Sequence, residues 1–262
     1  RVTDYWGAHL PVRRGMNNFD IIRTAYFRDA TPIRLALKAG DIDFRLENQS
    51  KAWADDYNVT VVDEGLLNKE MVPHRQPTGM QAFVMNTRRT LFQDPRVRQA
   101  LGYAFDFEWS NRTLFNGQYT RTTSYFSNSE QASHDLPKGQ ELKLLENYRG
   151  RVPENVFDLI YEPPVTDGSG RPRENLRKAA RLLKEAGWTV RDLKLVNEKT
   201  GEPFKFEVLL RSQAFERIVL PYTQNLKHLG IEAKIRLVDP TQYIERYRQK
   251  DFDMLVASWG QS

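Results

Sequence analysis

The sequence contains no cysteine, and it has no long uninterrupted run of apolar residues. The absence of cysteine excludes disulfide bonds, thiolate metal sites and a cysteine nucleophile. A helix that crosses a bilayer needs about 20 consecutive apolar residues, and no segment approaches that length. The 4 histidines are scattered without the spacing of a zinc site. We therefore expect no metal centre and no membrane-spanning helix.

Catalytic signatures are also missing. Neither the G-x-S-x-G nucleophile elbow nor the glycine-rich phosphate loops G-x-x-x-x-G-K-[ST] and G-x-G-x-x-G occur. Neighbouring acids such as Asp55 and Asp56 arise by chance in a chain with 34 acidic residues. We expect a binding protein without a cofactor, with an α/β enzyme domain (a hydrolase or a transferase) as the alternative.

The net charge of +5 raises the question of a nucleic-acid partner. The 39 basic residues are accompanied by 34 acidic ones, and the two densest basic segments, 88–98 and 171–181, are each interrupted by an acid. Neither segment carries a nucleic-acid-binding motif. The pattern indicates a solvated, mildly basic surface and no nucleic-acid partner.

The residues that are present predict a globular α/β protein. Apolar residues make up 40% and aromatic residues 11% of the chain, too many for a disordered protein. Alternating apolar patterns predict strands at 19–27, 41–46, 59–63, 81–87, 204–211, 231–238 and 252–258. Helical spacing and stop signals predict helices at 31–39, from a cap at Ser50, and at 95–105, 107–115, 174–186, 214–229 and 243–249. Alternating strands and helices are typical of a layered sheet with helices packed on it.

Four segments resemble one known protein family. They are "RVTDYWG" (1–7), "IRLALKAGDIDF" (33–44), "FVMNTRRTLFQDPRVRQALGYAFDFEWSNRTLFNGQYTRTTSYFSNSE" (83–130) and "DFDMLVASWGQ" (251–261). Their sequences are similar to those of the family 5 extracellular solute-binding proteins, the oligopeptide and dipeptide receptors of ABC importers. Within this family they resemble the branch associated with microcin C-type peptide uptake. The resemblance covers nearly the whole chain.

The resemblance implies a fold, a location and partners. The fold would be a periplasmic-binding-protein-like lobe of type II, peptide-receptor class, with a mixed sheet flanked by helices. Residues 1–262 would form a single lobe, the C-terminal-side one, of a two-lobe receptor. That receptor would be a periplasmic monomer that binds peptides or peptide-like compounds between its lobes and delivers them to the permease subunits of an ABC importer. A same-fold receptor for a non-peptide solute is the second alternative.

The end of the last predicted strand is the first candidate ligand site. In family members the segment around the late tryptophan lines the cleft, which implicates Ser258, Trp259, Gly260 and Gln261 here. Without the resemblance, Trp259 would be interpreted as a core residue that closes the sheet. Oligopeptide receptors place an aspartate three residues after this tryptophan to bind the peptide ammonium group, whereas this chain has Ser262. A hydroxyl group cannot supply that negative charge.

The end of the strand predicted at 81–87 is the second candidate. Asn86 and Arg88 follow its apolar residues, at a position where open α/β sheets bind ligands. The guanidinium group of Arg88 could pair with a carboxylate or phosphate of the ligand. The alternative is that Arg88 is a solvated residue of the turn.

Overall fold

The structure is a computed structural model that describes residues 4–16 and 18–260. The chain divides into two compact units, one up to residue 70 and one from residue 71 onward. In the described ranges, no helix is both long and apolar enough to cross a membrane.

The first unit consists of short helices joined by irregular segments. Within residues 4–16 and 18–70 it has two 3₁₀ turns, Trp6–His9 and Pro11–Arg13, and three helices, α1 (Ala30–Ala39), α2 (Ser50–Asp55) and α3 (Thr60–Asp63). Asp29 caps α1 by accepting a hydrogen bond from the Thr31 backbone N–H at 3.0 Å. Gly40 ends the helix with a φ of +79°, a conformation that glycine adopts without strain. The predicted helix with Gly40 as its stop is confirmed.

Three strand predictions in this unit are wrong. Residues 19–27 and 41–46 belong to no helix or strand, and residues 60–63 form α3. A strand requires a partner strand for its backbone hydrogen bonds, and the described part of this unit contains none. The predicted cap at Ser50 is also wrong, because Ser50 is the first helical residue and Gln49 occupies the cap position.

The described residues of the second unit form six strands and seven helices, with 3₁₀ turns at Thr90–Phe92 and Gln213–Phe215. The strands are β1 (Met80–Met85), β2 (Trp188–Arg191), β3 (Lys194–Asn197), β4 (Lys205–Leu210), β5 (Glu232–Leu237) and β6 (Met254–Trp259). The helices are α4 (Pro95–Tyr103), α5 (Phe107–Leu114), α6 (Gly139–Glu146), α7 (Asn155–Asp158), α8 (Arg173–Glu185), α9 (Glu216–His228) and α10 (Pro240–Gln249).

Four of these strands form the main sheet, in the order β1, β6, β4, β5. β5 and β6 both run parallel to β4, and β1 runs antiparallel to β6. The sheet is therefore mixed, as predicted. β2 and β3 form a separate antiparallel hairpin, which the sequence analysis did not predict.

Helices cover both faces of the main sheet. Phe206, Val208 and Leu210 of β4 belong to the larger core, together with buried residues of α4, α8 and α9. The intervening Leu209 packs on the opposite face with a smaller cluster that includes Tyr243 of α10. This alternation is the two-residue period of a strand with both faces buried. The prediction of an α/β fold with a mixed sheet flanked by helices is confirmed.

The start of α4 follows directly from its sequence. Asp94 accepts a hydrogen bond from the Arg96 backbone N–H at 2.8 Å, and Pro95 occupies the first helical position. Proline is tolerated there because that position has no intrahelical partner for an N–H group. The predicted helix start is confirmed.

Candidate functional site

The carboxyl ends of β4, β5 and β6 lie at one edge of the sheet, because the three strands are parallel. β1 begins at this same edge, since it runs in the opposite direction. Ligands of open α/β sheets bind outside the carboxyl ends of the strands, where backbone groups are unpaired and helices begin. We refer to this edge as the carboxyl edge, and a ligand site is expected there.

β6 changes from buried to exposed as it reaches the carboxyl edge. Met254 and Leu255 are fully buried, whereas Ser258 is exposed and Trp259 has 38% of its surface accessible. Gly260 is also exposed. Trp259 is therefore not enclosed within the described part of the protein. Gln261 and Ser262 lie outside the described residues.

Two residues of the neighbouring chain segment support this strand end. The Gln81 side-chain amide donates a hydrogen bond to Ser258 Oγ at 3.1 Å, across the β1–β6 pair. A Cβ atom at Gly79 would lie 2.6 Å from the Trp259 carbonyl oxygen, much closer than real contacts allow. Only glycine permits this approach. Gln81 and Gly79 therefore position the end of β6, and the sequence analysis missed both.

Arg211 supplies a positive charge at the carboxyl edge. It directly follows β4, is exposed, and its guanidinium carbon lies 5.6 Å from the centre of the Tyr243 ring. Burial raises the pKa of the Tyr243 phenol, and the charge of Arg211 opposes this increase. The Tyr243 hydroxyl group donates to the carbonyl oxygen of Val256 in β6. The sequence analysis missed Arg211, although its position as the last residue of the strand predicted at 204–211 was a usable signal.

The first turn of α10 also begins at the carboxyl edge. Asp239 Oδ1 accepts hydrogen bonds from the backbone N–H groups of Thr241 and Gln242, at 2.9 and 3.0 Å. These two donors are therefore already used within the protein. The arrangement offers a ligand an exposed strand end, an indole and a guanidinium group, and it contains no catalytic constellation among the residues described.

Asn86 and Arg88 lie at the opposite end of the sheet. The register pairs Met80 with Trp259 and Met85 with Met254, so five residue steps of about 3.4 Å separate the two ends, about 17 Å in all. The structure therefore does not bring Asn86 and Arg88 together with Trp259.

The side chain of Asn86 is occupied by the protein itself. It is buried, and its amide donates to the carbonyl oxygens of Lys250 and Phe252 at 2.9 and 2.8 Å. Its Oδ1 accepts from the Arg88 backbone N–H at 3.2 Å. Asn86 thus joins the end of β1 to the segment that leads into β6. Its predicted role in ligand binding stays a prediction.

Arg88 and Arg89 differ in their surroundings. Arg89 pairs with Asp251 at 3.0 Å and with Asp253 at 3.3 Å. Arg88 is exposed, and its guanidinium group forms no ion pair with any residue in the described ranges. Of the two, Arg88 is the one that remains available to an anionic group from outside the chain.

Comparison with known proteins identifies the family. The chain matches the family of bacterial extracellular solute-binding proteins, family 5 Middle, over residues 1–262. The chain therefore belongs to the family 5 bacterial extracellular solute-binding proteins. The resemblance noted in the sequence is confirmed at the level of the family.

Two curated relatives match over the full length of the chain. Uncharacterized protein y4wM of Sinorhizobium fredii is 47% identical over 264 residues, which covers 100% of this chain and 40% of that protein. Probable peptide-binding protein YejA of Agrobacterium fabrum is 46% identical over 264 residues, which covers 100% of this chain and 43% of that protein. The chain thus spans about two fifths of the length of these relatives.

A solved structure shares the fold. The oligopeptide-binding protein AppA from Bacillus subtilis, in complex with a nonapeptide, superimposes with a TM-score of 0.61 and 24% identity, over 89% of this chain and 40% of that one. At this identity the likeness shows the fold alone. The prediction of a periplasmic peptide-binding-protein fold is confirmed.

Proposed function

We propose that this chain is part of the periplasmic substrate-binding component of an ABC importer, and that the component binds oligopeptides or peptide-like compounds. The observation that carries the proposal is the exposed end of β6, with Trp259 at the carboxyl edge of the sheet. Peptide as the ligand class is supported by the name of the Agrobacterium relative and by the nonapeptide bound to AppA.

The proposed ligand wall consists of Ser258, Trp259 and Gly260, with Gln261 adjoining it. An extended peptide can bind to exposed strand backbone through main-chain hydrogen bonds, which makes affinity largely independent of its side chains. The indole of Trp259 then packs against the peptide, and Arg211 attracts a carboxylate. At the opposite end of β1, Arg88 would contribute only to a ligand with a second anionic group, and Asn86 would act by holding that turn.

The chain would be a single lobe, the C-terminal-side one, of a two-lobe receptor. One support is that the relatives are more than twice as long as this chain. A second is the apolar surface of the first unit, where Ile21, Tyr26 and Leu46 are 83%, 93% and 80% exposed. Trp6 and Phe44 of the same unit are also mostly exposed, and large amounts of exposed apolar surface typically mark an interaction site. A ligand that contacts both lobes only in the closed state favours closure.

Within the family, the chain would belong to the branch associated with microcin C-type peptide uptake, because the sequence of residues 83–130 resembles that branch. The receptor would be a monomer that docks on the permease subunits of its importer. Because Ser262 stands where oligopeptide receptors have an aspartate, the ammonium group of a peptide ligand would be bound by the other lobe, or the ligand would have a blocked N-terminus.

Mass spectrometry of the ligand that copurifies with the complete gene product tests the proposal. The protein is purified without denaturation, its bound compounds are released and identified, and the recovered compound is titrated back by calorimetry. Recovery of a peptide or a peptide-like compound that rebinds supports the proposal. A sugar or a metal chelate would favour a non-peptide receptor, and conversion of the compound into a product would favour an enzyme.

A further inference from the structure

The outward face of α8 carries a row of cations. Arg173, Arg177, Arg181 and Lys184 are all exposed. At 100° per residue the four positions fall within an arc of about 80° and extend over about 17 Å of helix. We refer to these four residues as the α8 cation row.

The charges of the α8 cation row are not neutralised within the protein. None of the four side chains forms a hydrogen bond or an ion pair with any residue in the described ranges. By contrast, Arg89, Arg96, Arg149 and Arg246 of the same unit all pair with acids. Glu174 and Glu185 of α8 are exposed beside the row without pairing to it. The row therefore presents four unneutralised charges to the outside.

The rest of α8 is fixed in the core. Asn175, Ala179 and Leu183 are buried on the opposite side of the helix, and α8 packs against α4. The helix therefore cannot turn its apolar side toward a membrane and insert it, as interfacial helices do. Any partner of the α8 cation row must be recognised by charge at the surface.

The composition of the face favours lipid headgroups over a protein surface. Protein interfaces have an apolar or aromatic centre that is depleted of charge, whereas among the residues of α8, all of them described, Ala180 is the only exposed apolar one. A bilayer with anionic lipids presents phosphate groups across a whole plane, so every member of a straight row can meet one. Three of the four residues are arginines, whose planar fork matches the oxygen atoms of a phosphate.

We propose that the α8 cation row binds the phosphate groups of anionic phospholipids, so that the protein associates reversibly with the surface of a bilayer. This goes beyond the proposed function, because it concerns a surface that takes no part in ligand binding. A cation near an anionic bilayer strengthens association by about fivefold. Four cations give an upper limit of about 600-fold, which Glu174 and Glu185 reduce.

The test is cosedimentation of the complete gene product with vesicles. One set contains equal parts of phosphatidylcholine and phosphatidylglycerol, and the other contains phosphatidylcholine alone. The wild type is compared with the variant R173Q/R177Q/R181Q/K184Q. The matched control is R191Q/K194Q/K199Q/K227Q, which removes the same charge from four exposed cations of the same unit that form no ion pair in the described ranges. Circular dichroism verifies that both variants fold.

We expect the wild type to bind the anionic vesicles at least about tenfold more tightly than the neutral ones. The α8 variant should lose this difference, the control variant should keep most of it, and about 1 M salt should abolish it, since the Debye length is then about 3 Å. Equal binding to both vesicle types would overturn the proposal, because it would indicate contact through exposed apolar residues. Equal losses in the two variants, or no binding to anionic vesicles, would overturn it as well.

Discussion

Replacing Asn86 tests whether this residue holds the fold or contacts a ligand. Asn86→Ala removes the amide that donates to the carbonyl oxygens of Lys250 and Phe252, and the oxygen that accepts from the Arg88 N–H. The Phe252 carbonyl would keep only a long hydrogen bond from Arg89 Nε, at 3.5 Å, and leaving a buried polar group without a good partner costs about 1–3 kcal/mol. The Lys250 carbonyl belongs to an exposed residue and can bind water instead. We therefore expect the free energy of unfolding to fall by about 1–3 kcal/mol.

Urea unfolding of the 262-residue chain, monitored by circular dichroism, measures this loss. Arg88→Ala is the matched control. Because the Arg88 side chain is exposed, its removal should change the free energy of unfolding by less than about 0.5 kcal/mol. Asn86→Asp keeps the acceptor but places a carboxylate oxygen against two carbonyl oxygens, so it should be at least as unstable as Asn86→Ala. Equal unfolding midpoints for wild type and Asn86→Ala would refute the structural role and restore the prediction of a ligand contact.

Three further predictions concern the strand end, the first unit and the isolated chain. Gly79→Ala should weaken ligand binding by the complete gene product, because the new Cβ would lie 2.6 Å from the Trp259 carbonyl oxygen. The control Gly102→Ala should leave binding unchanged, because its Cβ would meet nothing within 4 Å. Equal affinities of the wild type and Gly79→Ala in a calorimetric titration would contradict this prediction. Burial opposes ionisation of Glu47, but hydrogen bonds from Arg45, Gln49 and Tyr57 outweigh it and lower the pKa of its carboxyl group below the usual value. A carboxyl group with a lowered pKa stabilises the fold when the pH is above its unfolded-state pKa, and this stabilisation is lost as the pH falls through its folded-state pKa. Glu47→Gln should therefore lower the Tm at neutral pH, and the difference in Tm from the wild type should vanish in acid. A Tm difference that is independent of pH would argue against this role of the Glu47 carboxylate. The 262-residue chain alone should bind peptides weakly, because binding sites normally bury about 70–90% of a ligand's surface and this chain would supply only one wall of the cleft. Submicromolar affinity of this chain for peptides in calorimetry would be inconsistent with a cleft between lobes.

Local signals predicted α4, α5, α8, α9 and α10 of the second unit, but they did not predict α6 or α7. Asp94 and Pro95 mark the start of α4, and the spacing of Ala179 and Leu183 marks the buried face of α8. These features act within one or two helical turns, so the sequence contains the information needed. The strand at 204–211 was predictable for a related reason, since alternation places Phe206, Val208 and Leu210 on one face.

Strand pairing could not be predicted in the same way. Residues 19–27 have a strand pattern, but a strand exists only where a partner supplies hydrogen bonds, and the described part of the first unit has none. The antiparallel direction of β1 relative to β6 could not be predicted from the sequence either. This direction places Arg88 and Trp259 at opposite ends of the sheet. Asn86 illustrates a second limit, since a polar residue after a strand has the same pattern whether it binds a ligand or joins two chain segments.

The affinity of the Trp259→Ala variant tests the central claim most directly. Tyr247→Ala is the matched control, because Tyr247 is 39% exposed and Trp259 is 38% exposed, and Tyr247 stacks on Phe252 near the start of β6, away from the carboxyl edge. Calorimetric titration of the complete gene product with its copurified ligand should show a loss of about 2 kcal/mol or more for Trp259→Ala, and little change for Tyr247→Ala. Unchanged affinity in a folded Trp259→Ala protein would contradict the assignment of the ligand wall to the end of β6.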